Sequence, residues 1–218
     1  MRGVRTLAAW SLRRHGAAVS IEGAGHLPRD GAVLIVAHHY HHLLDGAVLL
    51  ARLARPVHIL VALDWVPSRT QRVWMERACR SARWPVILRR AQLTASAAYD
   101  PAEFRRYLRA GGRDAVALLR EGRVVVIFPE GVPVIDAHPG AGTPPVRDGQ
   151  GFLPFAGGFR TLAMLAARDP ALDLHLVPLG FGYERTARGW IVRARLGAPL
   201  PPDAPAATVE RAVRELSR

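Results

Sequence analysis

The chain has 218 residues with 30 basic and 18 acidic side chains, which gives a formal net charge of +12 at pH 7. Half of the residues are hydrophobic, which argues against a disordered chain and suits one domain with a sizeable core. The single cysteine, Cys79, excludes an intrachain disulfide, and no apolar run reaches the roughly 18 residues of a membrane-spanning helix. The positive charge favours anionic partners, such as phosphorylated substrates, an acidic carrier protein, nucleic acid or an anionic membrane.

Strands and helices are predicted to alternate along the chain. Short apolar runs predict strands over residues 19–21, 32–37, 57–62, 85–88, 123–128 and 174–179, with an alternating edge strand over 190–196. Helical spacing predicts helices over residues 45–53, 68–82, 101–120, 157–167 and 208–216, and residues 129–151 form a long loop rich in proline and glycine. Continuous apolar strands between helices predict a single α/β domain, with a mostly parallel central sheet flanked by helices.

Residues 1–18 are predicted to form a basic, amphipathic N-terminal helix, followed by the main domain over residues 19–218. Such a helix can lie on an anionic membrane surface without crossing it, or it can pack on the core of the domain. We expect a peripheral location on the cytoplasmic face of a membrane, with no transmembrane span.

A cluster of histidines directly follows the apolar run 32–37, where the predicted strand ends. Its chemistry-bearing side chains are His38, His39, His41, His42 and Asp45. Ligand-binding and catalytic groups collect at the carboxyl ends of strands in open α/β sheets. A histidine with a nearby carboxylate is a candidate general base with an orienting partner. The spacing leaves the register open, because His41 and Asp45 would share one face of a helix.

A second motif, Phe128-Pro129-Glu130-Gly131, follows the apolar strand 124–127. A carboxylate at the end of a buried strand is costly unless it has partners, so Glu130 is a second candidate functional residue.

Taken together, these segments resemble the glycerolipid acyltransferase family, which includes the lysophosphatidate acyltransferases. Four family blocks match in order, and each is weak alone but fairly specific as an ordered set. The blocks are His39 with Asp45 after an apolar strand, the strand and arginines of residues 85–90, the intact Phe-Pro-Glu-Gly of residues 128–131, and Leu-Val-Pro-Leu-Gly at residues 176–180.

The resemblance implies a glycerol-3-phosphate acyltransferase-like fold and an O-acyltransferase. Such an enzyme moves a fatty acyl group from acyl-CoA or acyl carrier protein to a hydroxyl of a lysophospholipid or related lipid, with no cofactor or metal. It implies His39 as general base and Asp45 as its orienting residue, with His41 as the alternative base. Substrate-binding roles fall to Glu130, Gly131, Arg90 and Arg147, the two arginines as contacts for acceptor phosphate.

The chain departs from the family pattern around these blocks. His38 replaces the usual asparagine, Val132-Pro133 replaces the usual Thr-Arg, and Ala156 stands where lysine is usual. An apparent insertion over residues 132–146 separates Gly131 from Arg147. These changes lie where the acceptor phosphate is expected to bind.

Three other interpretations compete with acyl transfer. The histidine cluster could belong to a metal-dependent hydrolase, although His-Glu-x-x-His and paired cysteines are absent. A non-catalytic module that binds lipid would also fit the altered loop. A module that binds nucleic acid fits the charge, but the arginines are scattered and no recognition motif is present, so we expect no nucleic-acid partner.

Overall fold

The computed structural model describes residues 2–66, 68–89, 101–135 and 146–218. Its helices are α1 (Arg2–Arg14), α2 (Leu44–Arg52), α3 (Arg69–Ser81), α4 (Pro101–Arg120), α5 (Gly158–Ala166) and α6 (Ala206–Leu216). Its strands are β1 (Ala17–Glu22), β2 (Ala32–Ala37), β3 (Val57–Ile59), β4 (Val61–Ala62), β5 (Val86–Ile87), β6 (Val124–Ile127), β7 (Leu174–Thr186) and β8 (Gly189–Leu196). The predicted α/β class is confirmed.

The main sheet has six strands in the order β1-β8-β7-β2-β6-β3. All neighbouring pairs are parallel except β7 with β8, which form an antiparallel hairpin. Strand β2 lies inside the sheet, between β6 and β7, and all six of its residues are buried. A strand buried on both faces must be apolar throughout, which is why its sequence is Ala-Val-Leu-Ile-Val-Ala.

Successive residues of β2 point to opposite faces of the sheet, and each face has its own core. Val33 and Ile35 belong to a cluster that includes residues of α1 and α2. Leu34 and Val36 belong to a cluster that includes residues of α4, α5 and α6. The helices therefore cover both faces, and the loops at the carboxyl ends of the central strands remain available for a site.

Helix α1 packs on the domain and also keeps an exposed apolar side. Ala8 and Leu12 are buried in the same cluster as α2, whereas Leu7 and Trp10 are 67% and 57% exposed. Among the described residues, no helix is long and apolar enough to cross a membrane.

Three predicted strands differ clearly from the observed ones, and the first is β7, which continues to Thr186 beyond its predicted end at residue 179. The strand predicted over residues 57–62 is split, because Leu60 N–H still donates to Val126 O on β6, while Val61 N–H donates to Pro85 O. Strand β4 therefore pairs with β5 in a small second sheet. The prediction of β8 as an edge strand was wrong, because β1 pairs with its outer side in parallel register. An alternating pattern indicates that one face of the strand is polar, but it does not indicate whether another strand pairs with its edge.

The two adjacent glycines of α4 have different surroundings and allow a matched test of the packing. A Cβ at Gly111 would lie 2.5 Å from Val86 O on β5, whereas a Cβ at Gly112 would meet nothing within 4 Å. We expect Gly111→Ala to lower the free energy of unfolding by about 1–3 kcal/mol, since helix or strand must move. Gly112→Ala should raise it by up to about 1 kcal/mol through helix propensity. Urea unfolding of both variants measures this, and equal effects would contradict the close approach of α4 to β5.

Candidate active site

Three neighbouring strands bring the candidate residues to one edge of the sheet. Val36 of β2 is paired with Ile127 of β6 and with Pro178 of β7, and all three strands run in the same direction. The segments that follow β2 and β6, together with the distal half of β7, therefore meet. They carry the histidine cluster, Glu130 and Tyr183 respectively.

His39 and Asp45 form a hydrogen-bonded pair at this edge. His39 Nδ1 lies 2.9 Å from Asp45 Oδ2. The His39 ring stacks on Phe128 with 4.4 Å between ring centroids. The Asp45 side chain has no exposed surface, whereas 16% of the His39 side chain is exposed. A neutral imidazole that donates from Nδ1 to the carboxylate keeps a lone pair on Nε2 for a proton.

The Asp45 carboxylate is enclosed by further donors. Its Oδ2 also accepts from the backbone N–H groups of Tyr40 (2.8 Å) and His41 (3.0 Å), and its Oδ1 accepts from the Tyr183 hydroxyl at 2.5 Å. Asp45 is the second residue of α2, so its side chain reaches back over the turn that precedes the helix. A buried carboxylate needs such a set of donors to remain charged.

His41 makes different contacts from His39. Its Nδ1 accepts from the backbone N–H groups of Leu43 (3.2 Å) and Leu44 (3.4 Å) at the start of α2. Burial, and next the neighbouring His42, lower the pKa of His41 to about 4. His41 is therefore neutral at neutral pH. Its Nδ1 accepts hydrogen bonds from backbone N–H groups that have no partner within the first turn of the helix.

Glu130 joins the histidine cluster to the loop after β6. Its Oε1 lies 2.5 Å from His38 Nδ1 and accepts from the His39 N–H at 3.0 Å. Its Oε2 accepts from Arg147 Nη1 (2.9 Å) and from the Leu153 N–H (3.1 Å). Burial alone would raise the pKa of Glu130, but the hydrogen bonds from His38, His39 and Leu153 outweigh burial and lower that pKa.

Two arginines, Arg147 and Arg89, donate hydrogen bonds to backbone carbonyl groups of the loop that follows β6. Arg147 also donates to Gly151 O and Val132 O, at 2.9 and 2.8 Å. Arg89 forms an ion pair with buried Asp64 at 2.7 Å and donates to Gly131 O at 2.5 Å. Gly131 has φ +77°, a backbone conformation that favours glycine at this turn.

The structure thus brings together His39, Asp45, Glu130, Gly131 and Arg147 of the residues named from sequence, and Arg90 lies outside the described residues. Sequence reasoning missed Tyr183 and Arg89. Arg89 adjoins the arginine that the second block suggested, so the block itself was a signal. Tyr183 follows the fourth block by three residues, and only the pairing of β7 with β2 brings it close to Asp45.

Cys79 lies on α3 away from these contacts, and its thiol is buried. Burial, and next the charge of Glu76, raise the pKa of Cys79 to about 11. The thiol therefore stays protonated at neutral pH, which suits a structural cysteine rather than a nucleophile. Within the described ranges, no three His, Cys, Asp or Glu side chains are grouped so as to hold a metal ion.

Comparisons with known proteins agree with this architecture. The profile of the family described as Acyltransferase matches residues 18–182. The fold is similar to the crystal structure of the 1-acyl-sn-glycerophosphate (LPA) acyltransferase PlsC from Thermotoga maritima, with a TM-score of 0.63 and 13% sequence identity. That similarity covers 98% of this chain and 76% of the other. No curated protein sequence matches this chain.

The low pKa of His41 makes stability depend on pH. Its folded-state pKa of about 4 lies below the ordinary value of 6.5, so the unfolded chain binds a proton first as pH falls. The contribution of neutral His41 is complete above pH 6.5 and is lost progressively toward pH 4. His41→Asn keeps an acceptor for the helix start and removes the titration. We expect its free energy of unfolding to fall less steeply over this window, by at most about 1.4 kcal/mol per pH unit.

Urea unfolding of wild type and His41→Asn at half-unit steps from pH 4 to 8 measures the difference. Above pH 7 the two curves should run parallel, which provides the internal control. Parallel curves across the whole range would contradict a buried neutral His41.

Proposed function

The chain belongs to the acyltransferase family, and on that premise we propose that it transfers a fatty acyl group to a hydroxyl of a lysophospholipid or related lipid. The acyl donor is a thioester, acyl-CoA or acyl carrier protein, and no further cofactor or metal is required. The observation that carries this proposal is the pairing of partly exposed His39 with fully buried Asp45 inside the family-matched region.

His39 acts as the general base in this reaction. Its Nε2 takes the proton of the lipid hydroxyl as that oxygen attacks the thioester carbonyl carbon. A new ester C–O bond forms, the C–S bond breaks, and the leaving thiolate recovers the proton. Asp45 fixes the ring tautomer and stabilises the imidazolium that forms in between. No covalent acyl-enzyme is needed.

The loop residues bind and shape the acceptor site. The sequence predicts that Glu130 binds substrate, but a role in holding the loop is favoured, because each of its oxygens already accepts two hydrogen bonds. Gly131 provides the turn beside the site. Arg147 and Arg90 are the proposed contacts for acceptor phosphate, since a guanidinium group matches phosphate oxygens. Arg147 would use the N–H groups that it does not donate to Glu130, Gly151 and Val132.

The lipid substrate is reached from an anionic membrane surface on the cytoplasmic side. The exposed Leu7 and Trp10 of α1 support this, because a Trp and a Leu beside arginines suit the boundary between headgroups and acyl chains. The net charge of +12 adds electrostatic attraction.

Replacing the proposed base tests the function directly. His39→Ala should lower acyl transfer by at least about 100-fold, because the hydroxyl then attacks without a proton acceptor. Transfer from acyl-CoA and from acyl carrier protein into a panel of lysolipids, followed by mass spectrometry, measures this and identifies donor and acceptor. His175→Ala, at the opposite end of β7, is the control and should retain wild-type activity. Full activity of His39→Ala would contradict the proposed base.

The membrane contact is tested separately with vesicles. Leu7→Ser combined with Trp10→Ser should weaken partitioning onto phosphatidylglycerol vesicles by about tenfold, since two apolar side chains no longer enter the interface. Met164→Ser on α5, which removes a side chain of similar exposure (58%), is the matched control and should bind like wild type. Vesicle sedimentation measures both. Equal loss in the two proteins, or no loss in either, would contradict a role for α1.

A further inference from the structure

Tyr183 lies outside the four family blocks yet makes a direct contact with the proposed catalytic pair. Its hydroxyl donates to Asp45 Oδ1 at 2.5 Å, across 138 residues of sequence. The other carboxylate oxygen, Oδ2, accepts from His39 Nδ1 and from the Tyr40 and His41 N–H groups. Among the described residues, Tyr183 is the hydrogen-bond donor to Oδ1.

The Tyr183 ring is held from two sides, which fixes where its hydroxyl lies. It stacks on Tyr40 with 4.4 Å between centroids and an interplanar angle of 8°, and it meets Trp190 edge-on at 5.8 Å. Strand β7 carries Tyr183 four residues beyond Leu179, the partner of Ala37 at the end of β2. Strand register and ring packing therefore both hold the hydroxyl beside Asp45.

The hydroxyl stays protonated and so acts as a donor. Burial, and next the charge of Asp45, raise the pKa of Tyr183 above its usual value. His41, whose ring centroid lies 6.2 Å from that of Tyr183, has a pKa of about 4 and is neutral at neutral pH. Of the described residues, Asp45 is the one that accepts a hydrogen bond from this hydroxyl.

We propose that Tyr183 is a positioning residue for the reaction, which holds Asp45 so that Oδ2 faces the His39 ring. The inference rests on the proposed function, in which His39 is the base and Asp45 its partner. Without the hydroxyl, the carboxylate can rotate about its terminal torsion, and Oδ1 loses a donor on a side chain that has no exposed surface. The hydroxyl does not touch the substrate and acts through Asp45.

The first experiment is steady-state kinetics of Tyr183→Phe over a range of pH. The variant keeps both ring contacts and loses the hydroxyl alone. We expect kcat to fall by about 10-fold to 100-fold with KM changed less than about twofold, as for other residues that orient a ligand or base. Losing a donor to the carboxylate makes the His39–Asp45 pair bind a proton more readily, so the acid limb of kcat/KM moves to higher pH by roughly 0.5–1 unit.

Tyr107→Phe is the matched control. The Tyr107 hydroxyl also donates to a carboxylate, that of Glu76, but on α4 and α3 away from the proposed site. The same bond type is removed, so a general loss of stability appears in both proteins. Only Tyr183→Phe should lower kcat and move the acid limb.

A second variant retains the hydroxyl, so it tests the role even where Tyr183→Phe does not fold. Site-specific incorporation of 3-fluorotyrosine at position 183 gives a more acidic phenol, which donates more strongly to Asp45. The acid limb should then move to lower pH, opposite to the shift in Tyr183→Phe. A purely structural role of Tyr183 would produce no such shift.

The outcomes separate this proposal from the proposed function. Activity of Tyr183→Phe equal to Tyr107→Phe, or a change confined to KM, overturns the positioning role while His39→Ala stays inactive. Opposite shifts of the acid limb in the Phe and fluorotyrosine proteins support the role. Full activity of His39→Ala instead overturns the proposed function on which the role rests.

Discussion

A carboxylate that is wholly removed from water organises this end of the molecule. Asp45 has a side chain with no exposed surface, and its oxygens accept from His39, from two backbone N–H groups and from Tyr183. Burying a charge without such partners costs several kcal/mol, so the donors must all be in place when the chain folds. They come from the end of β2, the turn before α2 and the far half of β7. The sheet order that sets β7 beside β2 is therefore a condition for the pair.

Glu130 is a second buried carboxylate, and both Glu130 and Asp45 form hydrogen bonds with His39. The backbone N–H of His39 donates to Glu130, and its ring Nδ1 is hydrogen-bonded to Asp45. Because Glu130 also binds Arg147 and the Leu153 N–H, the loop beyond residue 146 is tied to the backbone of the proposed base. The replacement of the family's usual asparagine by His38 fits this network, since His38 is the remaining partner of Glu130. Loop and base are thereby coupled through charge-assisted hydrogen bonds.

Local signals were sufficient for most elements. The strand over residues 32–37 and the helix over residues 101–120 match the predicted bounds, because an uninterrupted apolar run and a proline-initiated amphipathic repeat are strong local patterns. Prediction failed where a neighbour decides the outcome. Residues 57–62 have the pattern of one strand, yet Leu60 is hydrogen-bonded to β6 and Val61 to Pro85. Strand β8 has an alternating pattern whether or not β1 pairs with its outer edge.

The sequence by itself determined the apolar centre of the sheet, the histidine cluster at the end of one strand and the carboxylate at the end of another, since each depends on residues close together in the chain. The tertiary structure alone decided which groups meet. It joined Asp45 to Tyr183 across 138 residues and Arg89 to the carbonyl of Gly131. It also decided that the His39 ring is hydrogen-bonded to Asp45 and the His41 ring to backbone N–H groups at the start of α2. Hydrogen bonds act over about 3 Å, so partners distant in sequence are set by strand order and register, which local composition does not encode.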